Sequence, residues 1–229
     1  MRFLLLSILC LLALSSRGQS DQLNQVQKLV ASFNETEDVS LILEAQKLVS
    51  AIFENKAAHQ DPTSLCAKAQ IQTLALGHTD VKDPFKACDE IENTYASAFD
   101  HDQDRQERNE ILNQVYTSKA TMRQLGNKAY EEENYGDAYT YYDKCLKLNE
   151  LEVAHPRYAQ RDHSLRYTAA VFANLAGKKD DAAKILEDLI SINFQRSDMY
   201  DTLISYYTEK ERTADVKRIM RLKEERFPE

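Results

Sequence analysis

One run of acidic residues in this sequence could bind a divalent cation. Asp100, Asp102 and Asp104 place carboxylates at alternate positions, as a calcium-binding loop does. Such a loop also needs glycine at its sixth position and glutamate at its twelfth, where this chain has Arg105 and Ile111. We therefore expect no metal or other cofactor here, but an acidic loop in which Asp102 or Asp104 caps the next helix.

Catalytic chemistry has no recognisable motif in this chain. Its five histidines form neither an H-E-x-x-H motif nor a cysteine–histidine set at zinc spacing. A G-x-S-x-G nucleophile motif is absent, and five glycines in 229 residues leave little material for a phosphate-binding loop. We expect a protein that is not an enzyme, and a small helical enzyme is kept as an alternative.

The cysteines beyond the first twenty residues allow two interpretations. Cys66 and Cys88 lie on successive predicted helices and could form a disulfide in an oxidising compartment. Alternatively, these two and Cys145 are small buried residues in helix contacts. The odd number and the absence of a C-x-x-C motif favour the second interpretation.

The first eighteen residues have the layout of a secretory signal peptide. Arg2 provides a positive start, Phe3 to Leu14 is almost entirely apolar, and the small residues Ser16 and Gly18 precede the predicted cleavage site. The apolar run is about 12 residues long, whereas a membrane-spanning helix needs about 20. We expect export to a periplasm or to the outside of the cell, with no membrane insertion of the mature chain.

The charge of the chain limits its partners. Removing residues 1–18 removes two arginines and no acidic residue, so the formal net charge changes from -8 to -10. An acidic chain lacks the basic face that nucleic acids or anionic membrane surfaces require. We expect a protein or peptide partner.

The elements that would position a binding surface are clearest between residues 121 and 149. Apolar residues recur there at helical spacing, before a polar break at Glu133 and Asn134 and again after it. The small residues Gly126 and Ala138 would let the two helices approach closely. Glycine (5) and proline (4) are scarce in the whole chain, which also favours long helices over a sheet.

This segment resembles a tetratricopeptide repeat (TPR), a pair of antiparallel helices that stacks on its neighbours. Leu125, Gly126, Ala138 and Tyr142 match the family pattern. Two weaker copies follow at offsets of 44 and then 34 residues, and the offsets are equal in both helices of each copy. The resemblance implies an all-α fold of stacked antiparallel helix pairs, a TPR-like α-solenoid.

The chain is expected to have three parts: a signal peptide at 1–18, a degenerate helical repeat region at 19–118, and three repeats at about 119–152, 163–196 and 197–229. The extra residues between the first two copies, near 150–160, predict a longer loop or a one-turn helix extension. Within the N-terminal region we predict a short helix followed by a polar loop between 19 and 37, and further helices at 39–55, 64–76, 85–99 and 104–117. The charged last helix is expected to cap the array.

In the TPR family, the first helix of each repeat lines a concave groove that binds a partner. The positions that the resemblance assigns to this groove are Arg123, Asn127 and Tyr130 in the first copy, Tyr167, Val171 and Asn174 in the second, and Asp201, Thr202 and Ser205 in the third. Solvated polar side chains without a partner are the alternative interpretation for each position.

These observations predict an exported scaffold that holds a peptide or protein in the groove. The main alternative is a constitutive subunit of a cell-envelope assembly. Tyr135 and Tyr142 are expected to pack in the repeat core, while Tyr139 and Tyr141 could pack or form an aromatic binding patch. The sequence also holds Asn34-Glu35-Thr36, a glycosylation acceptor if the source glycosylates exported chains.

Overall fold

The computed structural model describes residues 2–154 and 161–228, with the backbone alone for residues 2–18. Over these ranges the protein is all-helical and has ten α-helices, as the sequence predicts. The chain divides into two compact units, Met1–Met122 and Arg123–Glu229. The side chains of the predicted signal peptide lie outside the described part.

The first unit is built from four helices and the beginning of a fifth. Along the chain, α1 packs on α2, α2 on α3 and α3 on α4. A short 3-10 helix, Lys56–Gln60, connects α2 to α3. The bounds are Arg2–Thr36 for α1, Val39–Ile52 for α2, Pro62–His78 for α3, Pro84–His101 for α4 and Arg108–Glu131 for α5.

Local sequence sets the starts of three of these helices. The carboxylates of Asp38, Asp61 and Asp83 each accept a hydrogen bond from a backbone N–H two or three residues further on, at 2.9–3.0 Å. This bond satisfies one of the donors that a helix start leaves without a partner. Pro62 and Pro84 follow directly, at the one helical position where proline's fixed φ and missing N–H cost little.

Apolar residues from α1, α2 and α3 form the core of the first unit. Val26 and Val30 on α1 are buried against Ala45 and Val49 on α2 and against Ile71 on α3. A buried hydroxyl network joins α3, α4 and α5. In this network, the side-chain oxygens of three residues lie 2.7 and 2.9 Å apart, namely Thr73, Ser118 and Tyr95.

Two helix predictions in this unit are wrong. The sequence predicts a helix end near residue 117 and a repeat start at 119, but α5 runs from Arg108 to Glu131 without a break. The predicted domain boundary at 118/119 therefore lies inside a helix. Residues 19–36 also stay helical as part of α1, where a short helix and a polar loop were expected. Neither stretch contains glycine or proline, so nothing in the backbone ends these helices.

The acidic run at residues 100–104 connects α4 to α5. Asp102 is buried, and its carboxylate accepts hydrogen bonds from the Glu107 N–H at 3.0 Å and from Arg108 Nε at 3.1 Å. Asp104 accepts a weaker bond from the Gln106 N–H at 3.4 Å. The interpretation of Asp102 as a residue that caps the next helix is confirmed. Among the described residues, no group of three or more His, Cys, Asp or Glu side chains is placed to hold a metal ion.

The second unit begins with the last part of α5 and continues through five further helices. Each helix from α6 onward packs on the next one in the chain. The bounds are Tyr135–Ala154 for α6, His163–Leu175 for α7, Lys179–Ser191 for α8, Asp198–Glu209 for α9 and Thr213–Arg226 for α10.

The turns inside the three helix pairs of this unit share one geometry. Glu133, Gly177 and Glu211 have φ of 60°, 75° and 57° and lie 44 and then 34 residues apart. In each turn, the N–H of the following residue donates to the carbonyl five residues before it, at 2.8–2.9 Å. This bond is the helix-ending arrangement in which a left-handed residue lets the chain reverse. The repeat offsets read from the sequence are confirmed by this geometry.

Gly126 allows the first pair, α5 and α6, to pack closely. A Cβ atom at this position would lie 2.8 Å from Tyr142 Cδ2 and 3.3 Å from Tyr141 Cβ. Tyr142 is only 3% exposed, and its hydroxyl donates to Asn127 Oδ1 at 2.7 Å. Its ring also meets the Phe172 ring edge-on, with centroids 4.7 Å apart. The close approach that the sequence predicts is confirmed.

Most of the tyrosine-rich run in α6 serves packing. Tyr142 is buried as predicted, and Tyr139 and Tyr141 are buried as well. The Tyr139 hydroxyl reaches α8, where it donates to Asp181 Oδ2 at 3.3 Å. Tyr135 is half-buried. An aromatic binding patch on Tyr139 and Tyr141 is therefore not formed.

The extra residues between the first two pairs lengthen α6. This helix continues to Ala154, beyond the repeat end expected near Asn149, so the predicted helix extension is confirmed. Residues 155–160, to which the predicted loop also extends, lie outside the described part. Asn149 is buried, and its Oδ1 accepts a bond from the Asp162 N–H at 3.1 Å, which ties α6 to the start of α7.

Candidate binding groove

All nine predicted groove residues lie in the second unit, on α5, α7 and α9. Four of them line one open pocket of about 360 Å³. These four are Asn174 near the end of α7 and Asp201, Thr202 and Ser205 on α9. The structure therefore brings together the part of the predicted groove that belongs to the second and third repeats.

The pocket offers neutral hydrogen-bonding groups between charged edges. Asn174 and Ser205 are exposed, and an amide and a hydroxyl can each donate and accept. Thr202 donates to the Asp198 carbonyl within its own helix, at 3.0 Å. Asp201 accepts from Lys223 Nζ at 2.6 Å. Asn174 and Ser205 are thus the groups best placed to bind the backbone amides of a peptide.

The predicted residues of the first repeat give the groove an aromatic end. The Tyr130 ring is 44% exposed and stacks on the Phe172 ring, with centroids 5.0 Å apart and planes 23° apart. Val171, the residue before Phe172, is half-buried. Leu175, one turn further along α7 than Phe172, is exposed. An exposed aromatic ring supported by a second ring can bind an apolar side chain.

Arg123 and Asn127 are exposed but also hold the α5–α6 pair together. Asn127 accepts the hydrogen bond from Tyr142, and Arg123 bonds the same hydroxyl. Burial raises the pKa of Tyr142, and Arg123 partly offsets this effect. Substitutions at these two positions would change packing as well as any groove contact.

Tyr167 is engaged within the protein. Its hydroxyl donates to Asp198, and the Arg196 guanidinium lies over its ring, 4.6 Å from the centroid. Burial opposes ionisation of Asp198, but the hydrogen bonds from Tyr167 and Arg196 outweigh it and lower the pKa of this carboxyl. Tyr167 therefore connects α7 to the start of α9 and does not line the pocket.

Three pocket residues were missed by the sequence reasoning. Lys179, Tyr206 and Glu209 complete the lining, and Lys179 Nζ lies 2.5 Å from Glu209 Oε2. Lys179 starts α8, the second helix of its pair, whereas only first helices were considered. Tyr206 and Glu209 lie one turn beyond Thr202 and Ser205, so the helical period could have indicated them.

A second hollow lies between α9 and α10, with a volume of about 650 Å³. Ile204, Met220 and Phe227 supply its apolar lining, and Met220 is 47% exposed. Lys223 and Glu224 supply charges beside them. The last helix is therefore not the uniformly polar cap that the sequence predicts.

The cysteines are buried, in agreement with the second interpretation of the sequence. Cys66 is a free thiol, so the bridge to Cys88 is not formed. Burial raises the pKa of Cys66 to about 12, and the negative charges of Glu110 and Glu107 add to this effect. A thiol with so high a pKa is a poor nucleophile at neutral pH.

None of the helices in the described residues combines the length and apolar character that crossing a membrane requires.

Comparisons with known proteins give a single likeness. No protein-family model matches the chain, and no curated protein matches its sequence. Among solved structures, it is similar to a tetratricopeptide repeat protein from Parabacteroides merdae, at 17% sequence identity. That match covers 86% of this chain and 78% of the other, with a TM-score of 0.30. The description of the second unit as TPR-like helix pairs rests on its own offsets and turns.

Proposed function

We propose that this protein is an exported scaffold that binds a peptide or protein segment in the groove of its second unit. One observation carries the proposal: four groove positions assigned from the sequence, on two successive first helices, converge on the same open pocket. Positions that were merely solvated would have no reason to share one concave surface.

Bonds between neighbouring helices support a preformed groove. Tyr206 on α9 donates to Asp180 on α8 at 2.8 Å, and Tyr207 donates to Glu187 at 2.6 Å. The Lys179–Glu209 pair adds a third tie between the same helices. A groove held in one shape loses little conformational entropy when a partner binds, which favours affinity.

The groove chemistry is suited to an extended peptide segment. Asn174 and Ser205 would bond its backbone, and the exposed ring of Tyr130 would bind one of its apolar side chains. The net charge of -8 does not favour a nucleic acid. Export is the expectation from the first eighteen residues, and its location would be a periplasm or the extracellular space.

A co-purification experiment tests the groove. The tagged mature chain would be isolated from its own source, as wild type and as Ser205→Arg, which fills the pocket from an exposed helix position. Ser191→Arg is the matched control, because Ser191 is exposed at the end of α8 and outside the pocket. We expect a partner with wild type and the control and its loss with Ser205→Arg. The same partner on all three variants would refute the groove as the binding site.

The hollow between α9 and α10 supports a second candidate function, a subunit of a larger assembly. Met220 is nearly half exposed, whereas Leu186, 34 residues earlier in the repeat, is 2% exposed and packs in the core that α8 shares with α9. An equivalent helix from another chain could cover Met220 in the same way. Met220→Lys would then remove the partner while Ser205→Arg leaves it bound; the opposite pattern supports the groove.

A further inference from the structure

We propose that Asn34 is the acceptor of an N-linked glycan. The inference rests on the export that is part of the proposed function, because the modification occurs only on chains that enter a secretory compartment. Asn34 is the only asparagine in the chain that has serine or threonine two positions later, and the residue between them is Glu35, not proline.

The fold leaves this acceptor on the surface. Asn34 lies in the last turn of α1 and is exposed, as are Glu35 and Thr36. The packing of this end of the helix is carried by Val30 and Phe33, both of which are buried. A bulky, hydrated substituent on Asn34 would therefore displace no core contact.

The helix also ends immediately after the acceptor. The next residue, Glu37, has φ of 56°, and its N–H donates to the Phe33 carbonyl at 2.7 Å, so the chain turns away there. Thr36 Oγ1 donates to the Ser32 carbonyl at 2.8 Å and accepts from the Asp38 N–H at 3.3 Å. These bonds are local, so a change at Thr36 leaves the packing of the unit intact.

The transfer needs a lipid-diphosphate-linked oligosaccharide as the co-reactant. A bond forms between Asn34 Nδ2 and C1 of the first sugar while the bond from C1 to the diphosphate oxygen breaks. One amide proton is released, and the lipid diphosphate leaves. No electron transfer is involved. The hydroxyl of Thr36 is the second group that the acceptor motif requires.

The test uses the full chain, with its own first eighteen residues, expressed in eukaryotic cells that secrete glycoproteins. Protein from the medium would be analysed by intact mass before and after treatment with a peptide N-glycosidase. We expect one glycan, whose removal converts the asparagine to aspartate. Asn34→Gln and Thr36→Ala should lose the glycan, whereas Thr36→Ser should keep it. Asn93→Gln is the control that keeps it, because Asn93 is followed at the second position by Tyr95.

The outcomes separate this inference from the export on which it depends. A secreted chain without a glycan would overturn the inference and leave export standing. A chain retained in the cytosol with its first eighteen residues intact would overturn both. A glycan that persists in Asn34→Gln would place the modification elsewhere and also overturn the inference.

Discussion

Gly126→Ala tests the packing on which the repeat assignment depends. The added methyl would lie 2.8 Å from Tyr142 Cδ2 and 2.9 Å from Tyr142 Cε2, whereas carbon atoms prefer separations of about 3.5–4.0 Å. Tyr142 cannot easily move, because it is buried and bonded to Asn127. Overpacking of this kind costs about 1–3 kcal/mol, and a pinned neighbour favours the upper end.

The same change also removes a helix-interior glycine, which by itself stabilises by about 1 kcal/mol. We therefore expect Gly126→Ala to lower the free energy of unfolding by about 2 kcal/mol. Gly136→Ala is the matched control, because the nearest atom to its new methyl would be Asn134 Oδ1 at 3.9 Å. The control should be neutral or gain up to about 1 kcal/mol.

Urea unfolding followed by far-ultraviolet circular dichroism would measure both variants. A double-mutant cycle with Tyr142→Ala adds specificity, since the loss caused by Gly126→Ala should shrink when the ring is absent. If Gly126→Ala were as stable as Gly136→Ala, α5 and α6 would not approach as closely as described, and the reasoning would be refuted.

Three further predictions concern turns, pH and thiol chemistry. Gly177→Ala should cost about 1 kcal/mol and Glu211→Gly should gain a similar amount, because both positions have left-handed φ; equal effects of the two changes on thermal stability would contradict this. Hydrogen bonds from Tyr206 and then from Lys210 lower the pKa of Asp180 below 3.8, so their stabilisation is present above about pH 4 and is lost as the pH falls through the folded-state value. Tyr206→Phe should therefore lower the melting temperature at pH 7 but change it little at pH 2, and an equal decrease at both would refute the assignment. Cys66 should react with a disulfide reagent at pH 8 at least about 100-fold more slowly in the folded chain than in denaturant, and equal rates would contradict its burial.

The sequence predicted the repeats well because their signal is local and redundant. Equal offsets in both helices of each pair located the turns at Glu133, Gly177 and Glu211, although only one of these residues is glycine. The aspartate and proline pairs at 61–62 and 83–84 marked the starts of α3 and α4 for the same reason. Each signal acts within one helical turn, so no tertiary information was needed.

The failures arise where the signal is missing or depends on tertiary contacts. No breaker marks the end of the predicted helix near residue 117, so continuous α5 had no distinguishing pattern. Tyr167 looked like a groove residue because its position matches the family, but a contact with Asp198, 31 residues later, occupies it. Lys179 and Glu209 join the pocket through an ion pair that no single helix pattern contains.

The most direct test of the account is site-specific photo-crosslinking from the groove. A photoreactive amino acid would replace Ser205 in the exported chain, and the same residue would replace Lys184, which is exposed on α8 outside the pocket. We predict one discrete partner adduct from position 205 and none from position 184. An adduct from position 184 alone, or the same adduct from both positions, would contradict binding in the groove.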